Sequence, residues 1–233
     1  MSFELAVWYE PEPITRERAR DVFRAARHAA PEGAPARPGE AGIPGERRDG
    51  PVGPGDGILG ETEGAEPHPG VVAFAGRLPG AEWLSPGVVL VTLVPERADE
   101  DSAEVFALAA GCGLVCYDPR RHLVHNLEPR GVHPAMEMRT GDGMIVVGPD
   151  LGLVSDALTT LSPQNPFMAL VVFGEHFVQT SPEPSGYELE YRDSVRGLMF
   201  RTHVADLAAV QDAFVEYATG GRAFMDRHDW RPV

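Results

Sequence analysis

The sequence predicts an α+β protein: two small α/β-sandwich-like domains with mainly antiparallel sheets, plus one long Pro/Gly-rich loop. Three observations lead there. Short apolar runs of strand length recur along the chain, several joined by compact turn sequences, as antiparallel pairing requires. Helical spacing of apolar residues is confined to a few isolated stretches between or after those runs. Residues 31–70 hold 11 Gly and 8 Pro and no aromatic residue, too little apolar surface to offset the entropy of ordering them. With eight acids against three arginines, a net −5, this stretch reads as a flexible excursion from a surface loop.

The elements follow in order. Phe3, Leu5, Val7 and Tyr9 alternate with Ala6 and Trp8, placing apolar residues on both faces as in an inner strand. Pro11 and Pro13 end it, and Thr15 caps a helix with Ala19, Val22, Phe23 and Ala26 at helical spacing before Pro31. Residues 71–75 suit one or two helical turns, and residues 87–94 form a near-continuous apolar strand. Asp101 followed by Glu104 has the spacing of a capping box and opens a helix ending at Gly111. Residues 114–117 and 123–127 flank Asp118-Pro119-Arg120-Arg121, an Asp-first, Pro-second type I turn of a hairpin.

A first domain over 1–130 and a second over 134–233 follow, with the boundary at Pro129–Pro134. In the second, Thr140-Gly141-Asp142-Gly143 joins two strands, and Asp150 caps a helix with Val154, Ala157, Leu158 and Leu161 on one face. Four strands at 167–173, 176–180, 187–192 and 197–203 come in quick succession. Asp206 caps a last helix that Gly220-Gly221 stops, and Trp230 packs behind it. Consecutive strands with helices at either end argue for an antiparallel sheet covered on one face.

The charge narrows the function. Against 35 Asp plus Glu stand 20 basic residues, all arginine, for a formal −15. Such a chain is unsuited to nucleic acid or anionic lipid, whose phosphates need cations. No run reaches the roughly 20 apolar residues of a membrane span. Met1-Ser2-Phe3-Glu4 carries no basic n-region, and two cysteines build no disulfide framework, so a cytoplasmic protein is expected.

No catalytic or metal motif stands out. Cys112 and Cys116 form a C-x3-C pair without the further ligands zinc needs, and Cys116 sits in an apolar strand. His122 and His125, three apart in a strand, point to opposite faces, and His125 reads as a packed histidine with one hydrogen bond. A Cys116–His125 pairing across the hairpin is geometrically conceivable but too apolar to activate a thiol. G-x-S-x-G and S-x-x-K are absent, and the glycines after residue 50 lack the strand, helix and lysine of a phosphate loop. No cofactor and no metal are expected. What remains is surface: Glu188, Glu190 and Arg192 share one face of a strand whose other face carries Tyr187, Leu189 and Tyr191, and residues 131–233 hold 14 acids against seven arginines.

Phe3 through Trp8, Gly113 through Pro119, Asp150 through Phe167 and the ending from Phe214 to Trp230 together resemble a group of actinobacterial proteins without assigned function. The C-terminal region resembles the small α+β domains of immunity proteins from bacterial toxin systems. Those matching residues are core, turn and cap positions, so the resemblance implies fold and no catalytic residue. Two functions are therefore expected. The first is non-enzymatic protein binding, as an immunity-type neutraliser of a basic toxin, through Glu188, Glu190 and Arg192. The alternative is an enzyme or small-molecule binder using an inter-domain pocket, with Cys116, His125 and Asp118 as its polar candidates.

Overall fold

The computed structural model describes residues 3–29 and 66–233; most of the Pro/Gly-rich stretch expected as a flexible loop lies outside the described residues. The fold is α+β, built on two antiparallel sheets of five and seven strands.

The first half runs β1 (Phe3–Trp8), α1 (Arg16–Ala29), α2 (Pro69–Arg77), β2 (Glu82–Ser85), β3 (Val88–Leu93), α3 (Ala98–Gly111), β4 (Val115–Asp118) and β5 (Leu123–His125). Its sheet has the order β2-β3-β1-β4-β5. The doubly apolar β1 is thus an inner strand. Ala6 and Trp8 pack with Val115, Tyr117 and Val124 under Ala19 and Ala26 of α1. Phe3, Leu5 and Val7 face the opposite way, with Val71 and Phe74 of α2 and Val105, Phe106 and Ala109 of α3. Helices therefore cover both faces of this sheet.

Several local expectations need correction. Glu66–Gly70, expected inside the excursion, leads into α2: the His68 imidazole accepts a hydrogen bond from the Gly70 amide at 3.2 Å and stacks on Tyr9 at 3.7 Å. Helix α3 starts at Ala98, directly after a 3-10 turn at Pro95–Arg97, so Asp101 is inside the helix and is not its cap. Its carboxylate lies 2.9 Å from Arg97 instead. The β4–β5 loop is Pro119–His122, one residue later than expected, because Asp118 still pairs with Leu123. His122 consequently sits in the turn with φ 54°, not in a strand.

The second half runs β6 (Glu137–Thr140), β7 (Ile145–Val147), α4 (Leu151–Leu158), β8 (Met168–Val172), β9 (His176–Glu183), β10 (Gly186–Asp193), β11 (Leu198–Val204), α5 (Leu207–Ala218), α6 (Phe224–Arg227) and β12 (Arg231–Pro232). Its sheet has the order β12-β11-β10-β9-β8-β6-β7. Asp150 caps α4 through the Leu153 amide at 2.8 Å, and Asp206 caps α5 through the Ala209 amide at 2.9 Å. Met138, Leu170, Val178 and Leu189 form the inner face beneath Leu153, Val154, Val210 and Phe214 of the two helices. Trp230 packs against Phe224, its indole N–H donating to the Phe224 carbonyl at 3.3 Å.

One apolar cluster runs unbroken from Phe3 and Cys116 of the first sheet to Leu189 and Tyr217 of the second half, each large side chain in it contributing about 1.5–3 kcal/mol relative to exposure. The segment between the halves is tied down as well. The Leu151 amide donates to the Pro129 carbonyl at 2.8 Å and the Val132 amide to the Ala218 carbonyl at 2.9 Å. The outer face of the seven-stranded sheet has no described helix over it.

Candidate functional site

Two places hold the residues the sequence singles out. The first is that outer face. Ladder registers put Glu188 opposite Ser181 and His203, Glu190 opposite Gln179 and Arg201, and Arg192 opposite Phe177 and Met199. All three candidate residues therefore lie on one face. Arg201 was not anticipated, yet it organises the acids, reaching Glu190 at 2.7 Å and Glu188 at 3.2 Å. Gln179 donates to the other Glu190 oxygen at 3.2 Å, and Glu183 meets His203 at 2.7 Å. Glu183, Glu188 and Asp229 line this corner with Arg201, Arg231 and His203, and Glu190 adjoins it, so four carboxylates face two guanidiniums and one imidazole and leave an excess of negative charge. The next row across the sheet is apolar at Met199, Phe177, Val171 and Val147, interrupted by Arg192 and Glu137, with Val147 61% exposed. The face pairs an ionic corner with an apolar band.

The second place is the seam between the sheets. A cavity of about 60 Å³, room for a few water-sized bodies, is lined by Phe106 of α3, Cys116 of β4, His125 of β5, Val146 of β7 and Asp150 and Leu153 around the start of α4. Cys116 and His125 are direct partners in the β4–β5 ladder. The His125 ring stacks on Phe106 at 3.8 Å and 19° and is 7% exposed. The hydrogen bond expected for it is missing: neither ring nitrogen has a partner among the described residues. Burial, aided by the Arg121 charge, pushes its pKa down to about 3. Burial also drives the Cys116 thiol well above its ordinary range, Asp118 adding to the rise. The pair is therefore a protonated thiol beside a neutral imidazole, the reverse of the thiolate–imidazolium arrangement that a cysteine nucleophile needs.

Asp118 is not part of this cavity. Its buried carboxylate accepts from the Arg120 and Arg121 amides at 2.9 and 3.0 Å and holds the Arg121 guanidinium. The acid that does line the cavity is Asp150, whose two oxygens accept from the Leu153 and Asn126 amides at 2.8 and 2.9 Å. Burial raises its pKa to about 7 despite those hydrogen bonds. In the sequence Asp150 reads only as a helix cap, and nothing there places it beside His125. Among the described residues no group of three or more His, Cys, Asp and Glu is arranged to hold a metal ion, and no helix is long and apolar enough to cross a membrane.

Comparison with protein-family models, curated proteins and solved structures finds no match to this chain.

Proposed function

We propose that the chain is a non-enzymatic protein-binding protein that docks a basic partner on the outer face of its seven-stranded sheet, an immunity-type neutraliser of the kind its C-terminal region resembles. The observation that supports this reading is the asymmetry of cover among the described residues. Helices lie over both faces of the first sheet and the inner face of the second, while the fourth face carries an apolar band beside the Glu183, Glu188 and Glu190 corner. An apolar centre with a charged margin is the usual anatomy of a protein interface. The net charge of −15 selects the sign of the partner and accelerates encounter with it. The unactivated state of Cys116 and His125 argues against the enzymatic alternative, and leaves ligand binding as the use of the seam cavity.

The test starts from capture of partners from an actinobacterial lysate, followed by calorimetric titration of each purified partner at low and high salt. A basic partner is expected, with affinity falling as salt rises. The Glu188→Arg/Glu190→Arg variant should keep its circular dichroism spectrum and bind at least about tenfold more weakly. Salt-independent binding, or unchanged affinity of the folded variant, would remove this face from the reading.

A further inference from the structure

Phe173 and Val195 are the two most exposed large apolar side chains among the described residues, at 76% and 84%. Both sit at one end of the seven-stranded sheet, Phe173 on the β8–β9 turn and Val195 on the β10–β11 turn. The His176 imidazole at the start of β9 accepts the Ser194 amide at 3.3 Å, which fixes one turn against the other. Phe173 holds φ 54°, a conformation that Asn or Gly adopts at less cost, so turn geometry does not account for an aromatic residue there. The apolar band of the outer face begins directly below these turns, where Val171 pairs with Phe177.

We propose that Phe173 and Val195 form the apolar anchor of the docking face, and that its partner is a basic protein carrying an apolar patch about 23 Å from the cations that meet the Glu183–Glu188 corner. The inference rests on the docking reading above and adds a second point of contact to it. The spacing follows from β9, whose eight residues run from His176 beside the turns to Glu183 in the corner, at about 3.3–3.4 Å per residue.

Area and charge select this occupant. Seven strands about 4.8 Å apart and about 23 Å long offer roughly 700 Å², close to the roughly 800 Å² that each partner buries in a standard complex. A partner that bridges corner and rim therefore fills a whole interface, and one that meets the corner alone does not. The net charge of −15 opposes a second copy and an anionic lipid surface on the same face. The two ends divide the work: the corner steers encounter, while a desolvated aromatic contact at the rim slows dissociation. Because the hydrogen bond between the turns holds the rim in place beforehand, little ordering cost is added on binding.

The experiment presents the full chain to a displayed library of random peptides of about 16 residues, long enough when extended to reach from rim to corner. Enriched peptides are synthesised with a fluorophore and titrated by polarisation. They are expected to carry Arg or Lys together with an aromatic or aliphatic cluster about seven or more residues away. Phe173→Asn and Val195→Ser should keep the circular dichroism spectrum and weaken binding, the first at least about tenfold. Val94→Ser, at another exposed valine in the first half of the chain, should bind like the unmodified protein. Basic peptides that bind both folded rim variants unchanged, yet lose affinity for Glu188→Arg/Glu190→Arg, would overturn the anchor and keep the docking reading. Peptides indifferent to every one of these substitutions would remove the docking reading as well. Self-association in sedimentation, or flotation with phosphatidylcholine vesicles, if abolished by Phe173→Asn, would give the rim to a second copy or to a membrane and overturn the proposal.

Discussion

The Asp118 carboxylate holds the Arg121 guanidinium at 3.0 Å in a setting where Asp118 has no exposed surface and Arg121 retains 7%. The same guanidinium reaches Asp142 at 2.6 Å and lies over the Phe3 ring at 5.2 Å. One arginine thus joins the β4–β5 turn of the first sheet to the β6–β7 turn of the second.

Removing that arginine strands a buried carboxylate. Arg121→Met is expected to cost about 3–5 kcal/mol, the range for breaking one partner out of a buried ion pair. Urea unfolding followed by tryptophan fluorescence measures it. A loss under about 1 kcal/mol would place the pair with solvent-exposed salt bridges instead.

Asp150 and His125 should give opposite pH dependences. The folded-state pKa of Asp150 is raised to about 7, so between about pH 4 and pH 7 the folded protein binds more protons than the unfolded chain and loses stability as pH rises. His125, lowered to about 3, does the reverse: stability falls as pH drops below about 6.5, where the unfolded chain takes up the proton first. Each slope reaches at most about 1.4 kcal/mol per pH unit. Relative to the unmodified protein, Asp150→Asn should gain stability as pH rises from 4 to 7, and His125→Phe should gain as pH falls through 6. Chemical denaturation across that range checks both, and parallel profiles would refute the assignment.

Gly131 has no space for a side chain. A Cβ there would stand 2.7 Å from the Ala218 carbonyl oxygen, the atom that accepts the Val132 amide. Gly131→Ala should therefore destabilise the fold by about 1–3 kcal/mol, the cost typical of overpacking, with the loss read as a lower melting temperature. Increased amide exchange at Val132 would locate the damage.

Phe173 is the opposite case. It holds φ 54° at the β8–β9 turn with 76% of its surface exposed, a conformation costing a non-glycine residue about 1–2 kcal/mol. Phe173→Asn is expected to raise the melting temperature. If instead it lowered it, the edge-on contact with His133 at 5.7 Å would be the stronger term.

Much of the fold is legible from local patterns because those patterns act locally. Asp150 and Asp206 announce their helices through bonds to amides three residues on, and the Asp118-Pro119 and Gly141-Asp142-Gly143 turns mark their hairpins. The Asp101/Glu104 spacing misleads because Pro95 begins a 3-10 turn that runs directly into α3, a start that needs no side-chain cap. Strand β2 escapes notice: it has four residues and its register slips between Trp83 and Ser85. The candidate sites were harder to read for a different reason. Glu190 meets Arg201 only through a strand pairing, and the seam cavity draws Phe106, Cys116, His125 and Asp150 from four separate segments. No spacing rule connects residues that become neighbours only after α3 and α4 have packed.

The central place of β1 also shapes how the protein reaches its native state. Trp8 pairs with Val88 and Val7 with Cys116, so the first strand finds its neighbours only after about eighty or more intervening residues have been made. The hairpins β2–β3 and β4–β5 close over short distances, and they can form while β1 still waits. Long-range pairing of this kind raises contact order and slows folding. The enclosing loop adds entropy only logarithmically with its length, so lengthening the connection after α1 burdens this step little. Insertion of β1 between two finished hairpins is then the slow event, and until it happens the apolar edges of β3 and β4 stand open to other chains.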